Sequence, residues 1–80
     1  MQNFNKEKFI TGYKQSLRNI NANNVKTVFL AYDVSENIST SVLAACNAVN
    51  CEDINREYNM AQLGSMAEID VPAAVIVELK

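Results

Sequence analysis

Apolar residues in the first part of the 80-residue chain recur with the period of a helix. A short run of apolar residues with helical spacing predicts a first helix over residues 3–11, and Gly12 ends this helix. Spacings of four and three residues then predict a second helix over residues 13–21, with one face turned inward. The residues on that face are Tyr13, Leu17 and Ile20.

Two later runs are almost continuously apolar and rich in β-branched or aromatic residues, as expected of strands covered on both faces. The first covers residues 25–32, and the second covers residues 73–79. Residues 51–58 have a less regular pattern that allows a short edge strand.

Two further stretches return to the helical period. Residues 38–49 carry an apolar stripe that predicts a third helix, after a loop at residues 33–37, with Asn37 or Ser39 able to cap its start. Residues 59–67 predict a short fourth helix. Its Gly64 is unfavourable inside a helix but permits close packing.

Helices that alternate with covered strands indicate an α/β fold. We therefore predict a single domain over residues 1–80, built as a three-layer α/β/α sandwich with a small mixed sheet.

Charge is divided unequally along the chain, whose formal net charge is −2. Residues 1–32 contain five Lys or Arg against one acid, whereas residues 33–80 contain two against eight. A positive surface at one end would allow a specific phosphate-rich site to dock, while the acidic remainder would suppress indiscriminate nucleic-acid binding. Solvated helices that happen to be basic explain the same pattern.

The run Gly-Tyr-Lys-Gln-Ser-Leu-Arg at residues 12–18 places polar and basic groups at the start of the second helix. Free N–H groups and the positive end of the helix dipole favour anions there, and glycine allows close approach. Lys14 and Arg18 lie one turn apart on one face. Taken alone, the run fits an amphipathic helix with a solvated face at least as well.

The remaining composition gives little sign of catalytic or metal chemistry. Cys46 and Cys51 are too few for a disulfide scaffold, and without histidine we expect buried or half-buried thiols and no metal site. Asp33 follows a strand without a grouped base, nucleophile or phosphate-binding loop, so we expect no enzymatic activity and no cofactor. Residues 1–6 lack the apolar core of a signal peptide, and no apolar stretch spans a membrane, so we expect a cytoplasmic protein without a membrane partner.

The order of these segments resembles the kink-turn-binding ribosomal proteins of the L-seven-Ae and L-thirty-e type, including short bacterial members. The resemblance extends over nearly the whole chain and rests on four pieces in the family's order. They are Gly12-x-Lys14-Gln15-x-x-Arg18, Val-Phe-Leu-Ala-Tyr-Asp at residues 28–33, Leu63-Gly64, and Ile-Asp-Val-Pro-Ala-Ala at residues 69–74.

The resemblance implies binding to kink-turn RNA, an internal loop with tandem sheared G·A pairs. By that likeness Gly12 would allow backbone approach, Lys14 and Gln15 would face guanine edges, and Arg18 would meet the flanking phosphates. These side chains have the donors and acceptors that base-edge recognition needs. Asp33 would be a structural residue near the site.

The second half of the implied RNA site is an apolar loop that covers a nucleotide turned out of the stack. Its residues are Ile69, Asp70, Val71, Pro72 and Ala73. Without the resemblance, the apolar members are explained as a hydrophobic lead-in to the last strand.

Two departures from the family pattern affect the expected partners. Glu68 stands where the family usually has a glycine, which adds negative charge beside Asp70, and residues 52–57 are more polar than the matching strand.

The implied partner is a structured RNA within ribosomal RNA or an mRNA leader. The protein would bind it as a monomer and associate with the ribosome. The alternative is a protein-interaction or assembly module with weak or lost RNA binding, which would use the sheet edge at residues 51–58.

Overall fold

The computed structural model describes residues 8–80, which form one mixed sheet with helices on both faces. The strands lie in the order β1-β4-β2-β3; β4 is antiparallel to both neighbours, and β3 is parallel to β2. The elements are, in chain order, β1 (Phe9–Thr11), α1 (Tyr13–Asn21), β2 (Val25–Leu30), α2 (Glu36–Ala48), β3 (Ile54–Asn55), α3 (Met60–Met66) and β4 (Val75–Leu79).

Two hydrophobic clusters separate the three layers. On one face of the sheet, Ile20 of α1 and Val42 of α2 pack in a cluster with Val77 of β4. On the other face, Leu63 of α3 packs in a cluster with Ile76. All five side chains are fully buried, and each contributes about 1.5–3 kcal/mol to folding. The predicted three-layer α/β/α sandwich with a mixed sheet is therefore confirmed.

The prediction of a helix over residues 3–11 is wrong for residues 9–11. Phe9–Thr11 form β1, in which Phe9 pairs with Glu78 and Thr11 with Ile76. The Phe9 ring also lies 6.2 Å from the ring of Phe29 on the same face. Pairing with a strand distant in sequence therefore outweighs the weak local helical period. Residues 3–7 of the predicted helix lie outside the described residues.

The other elements agree with the predicted ones apart from their ends. The helix over residues 13–21 is α1, the short edge strand is β3, and the fourth predicted helix is α3. The predicted cap of α2 is wrong, because Ser35 fills that place instead of Asn37 or Ser39. Ser35 has extended backbone angles, and its Oγ accepts a hydrogen bond from the Ile38 N–H at 3.4 Å.

All three described helices end in the same backbone arrangement, a Schellman cap. In each cap one residue adopts the left-handed conformation, with φ between 56° and 60°: Asn23 after α1, Asn50 after α2 and Glu68 after α3. The following residue donates its N–H to a carbonyl five positions back, as Ile69 does to Gly64 at 3.0 Å. Asparagine tolerates this conformation better than most residues, and glutamate does not.

Ser16 is the one buried polar side chain among residues 8–80, and its Oγ has no hydrogen-bond partner there. It lies on α1, which contacts both α2 and β4. A buried hydroxyl without a partner opposes folding, because it loses its hydrogen bonds to water.

We expect Ser16→Ala to raise the free energy of unfolding by about 0.5–1.5 kcal/mol, because alanine removes the unpaired hydroxyl and is the better helix former. Chemical denaturation followed by circular dichroism measures the change. Gln15→Ala, an exposed change in the same helix, reports helix propensity alone. A gain no larger than that of Gln15→Ala would contradict a destabilising Ser16 hydroxyl.

Candidate functional site

Three loops meet at the end of the sheet where β1 and β2 finish and β4 begins, which we term the Gly12 end. The Gly12 N–H donates to the Val75 carbonyl at 3.2 Å, and the Ala31 N–H donates to the Ala74 carbonyl at 3.0 Å. Each of the two predicted long strands stops two residues short of its predicted limit here, at residues 30 and 75. The residues so released, 31–32 and 73–74, form part of the loops at this end.

Gly12 is the N-cap of α1, with φ 114° and ψ 148°. A Cβ atom at this position would meet no described atom within 4 Å, so the backbone conformation, not crowding, calls for glycine. Gly12 has no side chain with which to cap α1, and the first turn of the helix carries no acid. The first intrahelical bond runs from the Ser16 N–H to the Gly12 carbonyl, which leaves the N–H groups of Tyr13, Lys14 and Gln15 without a partner inside the helix.

The exposed face of α1 carries the polar residues that the sequence singled out. Lys14, Gln15 and Arg18 are exposed, whereas Tyr13 and Leu17 pack against the core. The structure therefore presents these three side chains together, with the two cations one turn apart.

The loop of residues 69–74 is held against α3. Gly64 is buried, and a Cβ atom there would overlap the Val71 carbonyl oxygen and lie 3.2 Å from the Pro72 Cα. The Ala73 N–H also donates to the Met60 carbonyl at 3.0 Å. The close packing predicted at Gly64 is thus between helix and loop backbone.

All three exposed large hydrophobic residues within residues 8–80 lie on loops at the Gly12 end. Val71 is 61% exposed, Tyr32 is 56% exposed and Ile69 is 37% exposed. Exposed apolar residues that are grouped in this way indicate a binding surface. Ile69 and Val71 are among the predicted site residues. Tyr32 is not, because the sequence pattern makes it the end of a covered strand. Its position beside Asp33 was the signal that could have identified it.

The remaining predicted residues of the loop differ in exposure. Asp70 and Pro72 are exposed, but Ala73 is only 4% exposed and belongs to the cluster with Leu63. The Ala73 side chain therefore faces the core, and this residue contributes to the loop through its backbone.

Asp33 connects two elements at the Gly12 end. Its Oδ1 accepts a hydrogen bond from the Met60 N–H, the first residue of α3, at 2.9 Å. The neighbouring Tyr32 N–H donates to the Tyr58 carbonyl at 3.0 Å. The expected structural role thus takes the form of a tie between the loop after β2 and the start of α3, on which the 69–74 loop packs.

The cations of the first 32 residues do not form one surface, contrary to the expectation from the sequence. Lys14 and Arg18 stand on α1, but Lys26 lies near the start of β2, at the opposite end of the sheet. Lys8 precedes β1, and Lys6 lies outside the described residues. Charges that are close in sequence can thus lie at opposite ends of the sheet, and the sequence alone does not show which end each one occupies.

The described part of the chain offers no group of three or more His, Cys, Asp or Glu residues that could hold a metal ion. A cavity of ≈ 430 Å³ lies on the outer side of α3, lined by Tyr58, Gln62 and Met66 among others. None of the helices described in residues 8–80 is long and apolar enough to cross a membrane.

Comparison with known protein families identifies relatives of this chain. Residues 2–80 match the profile of the Ribosomal protein L7Ae/L30e/S12e/Gadd45 family. The chain belongs to this family. Membership confirms the resemblance seen in the sequence and gives the chain, in general terms, a ribosomal and RNA-binding fold.

A solved structure supports the same fold. It is described as a protein with unknown function from Bacillus halodurans, and it superposes with a TM-score of 0.83 at 19% identity. The match covers 92% of this chain and 73% of the other. Comparison with curated proteins finds no match to this chain.

The structure explains why a glycine suits the position of Glu68. This residue has φ 60° in the cap of α3, the left-handed conformation that glycine adopts without strain. Glu68 starts the loop that carries Ile69 and Val71, so backbone strain and a negative charge both fall beside the exposed apolar residues.

We expect Glu68→Gly to unfold with a free energy about 1 kcal/mol higher than Glu68→Ala, because only glycine relieves the left-handed strain. Both variants remove the carboxylate and its contacts, so the difference between their free energies of unfolding isolates the backbone strain. Parallel urea denaturation of the two proteins measures it. Equal stabilities would show that the cap of α3 carries no strain at this residue.

We expect Gly64→Ala to lower the free energy of unfolding by about 1–3 kcal/mol, despite alanine's better helix propensity, because its methyl group displaces the Val71 carbonyl. Thermal and chemical denaturation measure the loss. Ser65→Ala, an exposed change in the same helix, should alter stability by less than about 0.5 kcal/mol. A neutral Gly64→Ala would mean that the loop does not need this close contact.

Proposed function

We propose that this member of the family binds a structured RNA, specifically a kink-turn or a similarly bent internal loop with sheared G·A pairs. One observation carries the proposal beyond family membership: the exposed large apolar residues of the described chain all lie on loops at the end of the sheet where α1 starts. Irregular RNA offers both phosphates and unstacked bases, and this surface offers partners for each.

The start of α1 supplies the polar half of the proposed surface. The backbone N–H groups of Tyr13, Lys14 and Gln15 can meet phosphate or base acceptors. Outside the adjoining residues, no atom of residues 8–80 would lie within 4 Å of a Cβ at Gly12, which leaves room for them. Lys14 and Gln15 would meet guanine edges in the widened groove, and Arg18 would contact phosphates next to the bend.

The loop of residues 69–73 supplies the apolar half. Ile69 and Val71 would cover a nucleotide turned out of the stack, and Pro72 stiffens the loop between them and β4. Tyr32 extends the same surface from the loop after β2, and its ring can stack on a base. Asp70 and Glu68 oppose phosphate nearby, so the apolar contacts have to carry more of the affinity.

The proposed setting is cytoplasmic and ribosome-associated, with a monomer bound to ribosomal RNA or to an mRNA leader and no catalytic step. The alternative, a protein-interaction module that uses its sheet edge, has less support. Its edge strand β3 contains only Ile54 and Asn55, which is short for pairing with another chain.

We expect sub-micromolar binding to a generic kink-turn RNA, weakened by added salt because phosphate contacts release counterions. Lys14→Ala should lower the affinity about 10-fold to 100-fold, and Arg18→Glu should lower it at least as much. Fluorescence anisotropy titrations with and without Mg²⁺ measure these changes.

Lys80→Gln is the matched control and should leave the affinity unchanged, since it removes a cation whose Nζ donates to the Asn23 Oδ1 at 3.3 Å, at the opposite end of the sheet. A duplex of equal length without G·A pairs tests RNA shape. Equal affinity for the two RNAs would contradict kink-turn recognition, and no binding at low salt would contradict RNA binding altogether. A stable oligomer in size-exclusion chromatography would then support the alternative.

A further inference from the structure

The two cysteines occupy the two ends of the Schellman cap of α2, at the end of the sheet opposite Gly12. The Cys51 N–H donates to the Cys46 carbonyl at 2.8 Å, and the left-handed residue between them is Asn50. This cap commonly brings the side chains at its first and last positions into contact. Cysteines five residues apart are thus in the positions where the backbone turns one side chain towards the other.

The two thiols lie in the same hydrophobic cluster but differ in accessibility. Cys51 packs against the cluster that contains Cys46, and both are free thiols. Cys46 is fully buried in the cluster beneath α2, whereas Cys51 is half-buried and lines a cavity of ≈ 440 Å³. A reagent in solution therefore meets Cys51 before Cys46.

We propose that Cys51 is a site of oxidation by hydroperoxides and that Cys46 resolves the product as a Cys46–Cys51 disulfide. In the first step the Cys51 thiolate attacks a peroxide oxygen; an S–O bond forms, the O–O bond breaks and the other oxygen leaves as hydroxide or alkoxide. In the second step the Cys46 sulfur attacks the Cys51 sulfur and gives up its proton. The S–S bond forms, the S–O bond breaks, and water leaves, so the two sulfurs together lose the two electrons that the peroxide gains.

The order of the two steps follows from the environments of the thiols. Burial first, and then the neighbouring Cys51 sulfur and its hydrogen bond, raise the pKa of Cys46 to about 11. A thiol with so little thiolate at neutral pH is a poor first target for peroxide. Because the Cys46 thiol would already lie beside the Cys51 sulfenic acid, the second step needs no diffusional encounter. This proximity compensates for the low thiolate fraction of Cys46.

Mass spectrometry of the full chain after hydrogen peroxide treatment and alkylation of free thiols tests the proposal. Trypsin leaves both cysteines in one peptide, residues 27–56, because that stretch ends at Arg56 and has no earlier Lys or Arg. We expect this peptide to lose two hydrogens and to escape alkylation, and dithiothreitol should restore both thiols. In Cys46→Ser, Cys51 should stop at the sulfenic acid and be trapped by dimedone; in Cys51→Ser, Cys46 should remain reduced.

The wild-type measurement is decisive even where a variant fails to fold. Two thiols that remain alkylatable after treatment, a Cys51 sulfinic acid beside a reduced Cys46, or a disulfide between two chains would each overturn the proposal. Since the cysteines lie away from the Gly12 end, the outcome is independent of whether the chain binds RNA.

Discussion

The start of β4 is the constraint on which the candidate site depends. Its first residue, Val75, accepts the Gly12 N–H, and the preceding Ala74 accepts the Ala31 N–H. Because β4 lies between β1 and β2, these two bonds fix the start of α1 and the loop after β2 to one strand. The strand itself is secured by Val75, Ile76 and Val77, all fully buried. A site assembled from distant parts of the chain thus rests on a rigid central element.

The apolar loop gains its shape from α3 by a different means. Two backbone segments approach at Gly64, where any side chain would collide with the Val71 carbonyl. The loop begins at Glu68, in a conformation that disfavours glutamate. Gly64 therefore suits the backbone of the loop, whereas Glu68 does not. Such a local mismatch is typical of sites where requirements other than stability influence the residue, and in this chain it puts charge and strain beside the exposed Ile69 and Val71.

The sequence predicted those parts of the fold whose cause is local. Helix α1 has its predicted limits because its apolar spacing and the breaks at both ends agree. Strand β1 could not be predicted, because three residues form it only by pairing with β4, far along the chain. The ends of β2 and β4 were placed two residues too far for a related reason: Ala31 and Ala73 are as apolar as strand residues but are buried in loops. Tyr32 was missed with them, since an apolar residue at a strand end gives no local sign of exposure.

Charge illustrates the same limit and bears on how the surface would recognise a partner. Five cations in the first 32 residues suggested one positive end, yet of the described four only Lys14 and Arg18 stand on α1. Exposed acids, Asp33 and Asp70 among them, lie on other loops at the Gly12 end. With Arg56, whose guanidinium donates to the Ala31 carbonyl at 3.3 Å, three described cations stand at the Gly12 end. Three cations release few counterions, so non-specific attraction to a phosphate backbone is weak. Under the proposed function, selectivity therefore comes from shape, through the N–H groups at the start of α1 and apolar side chains that a bent RNA with an unstacked base satisfies together.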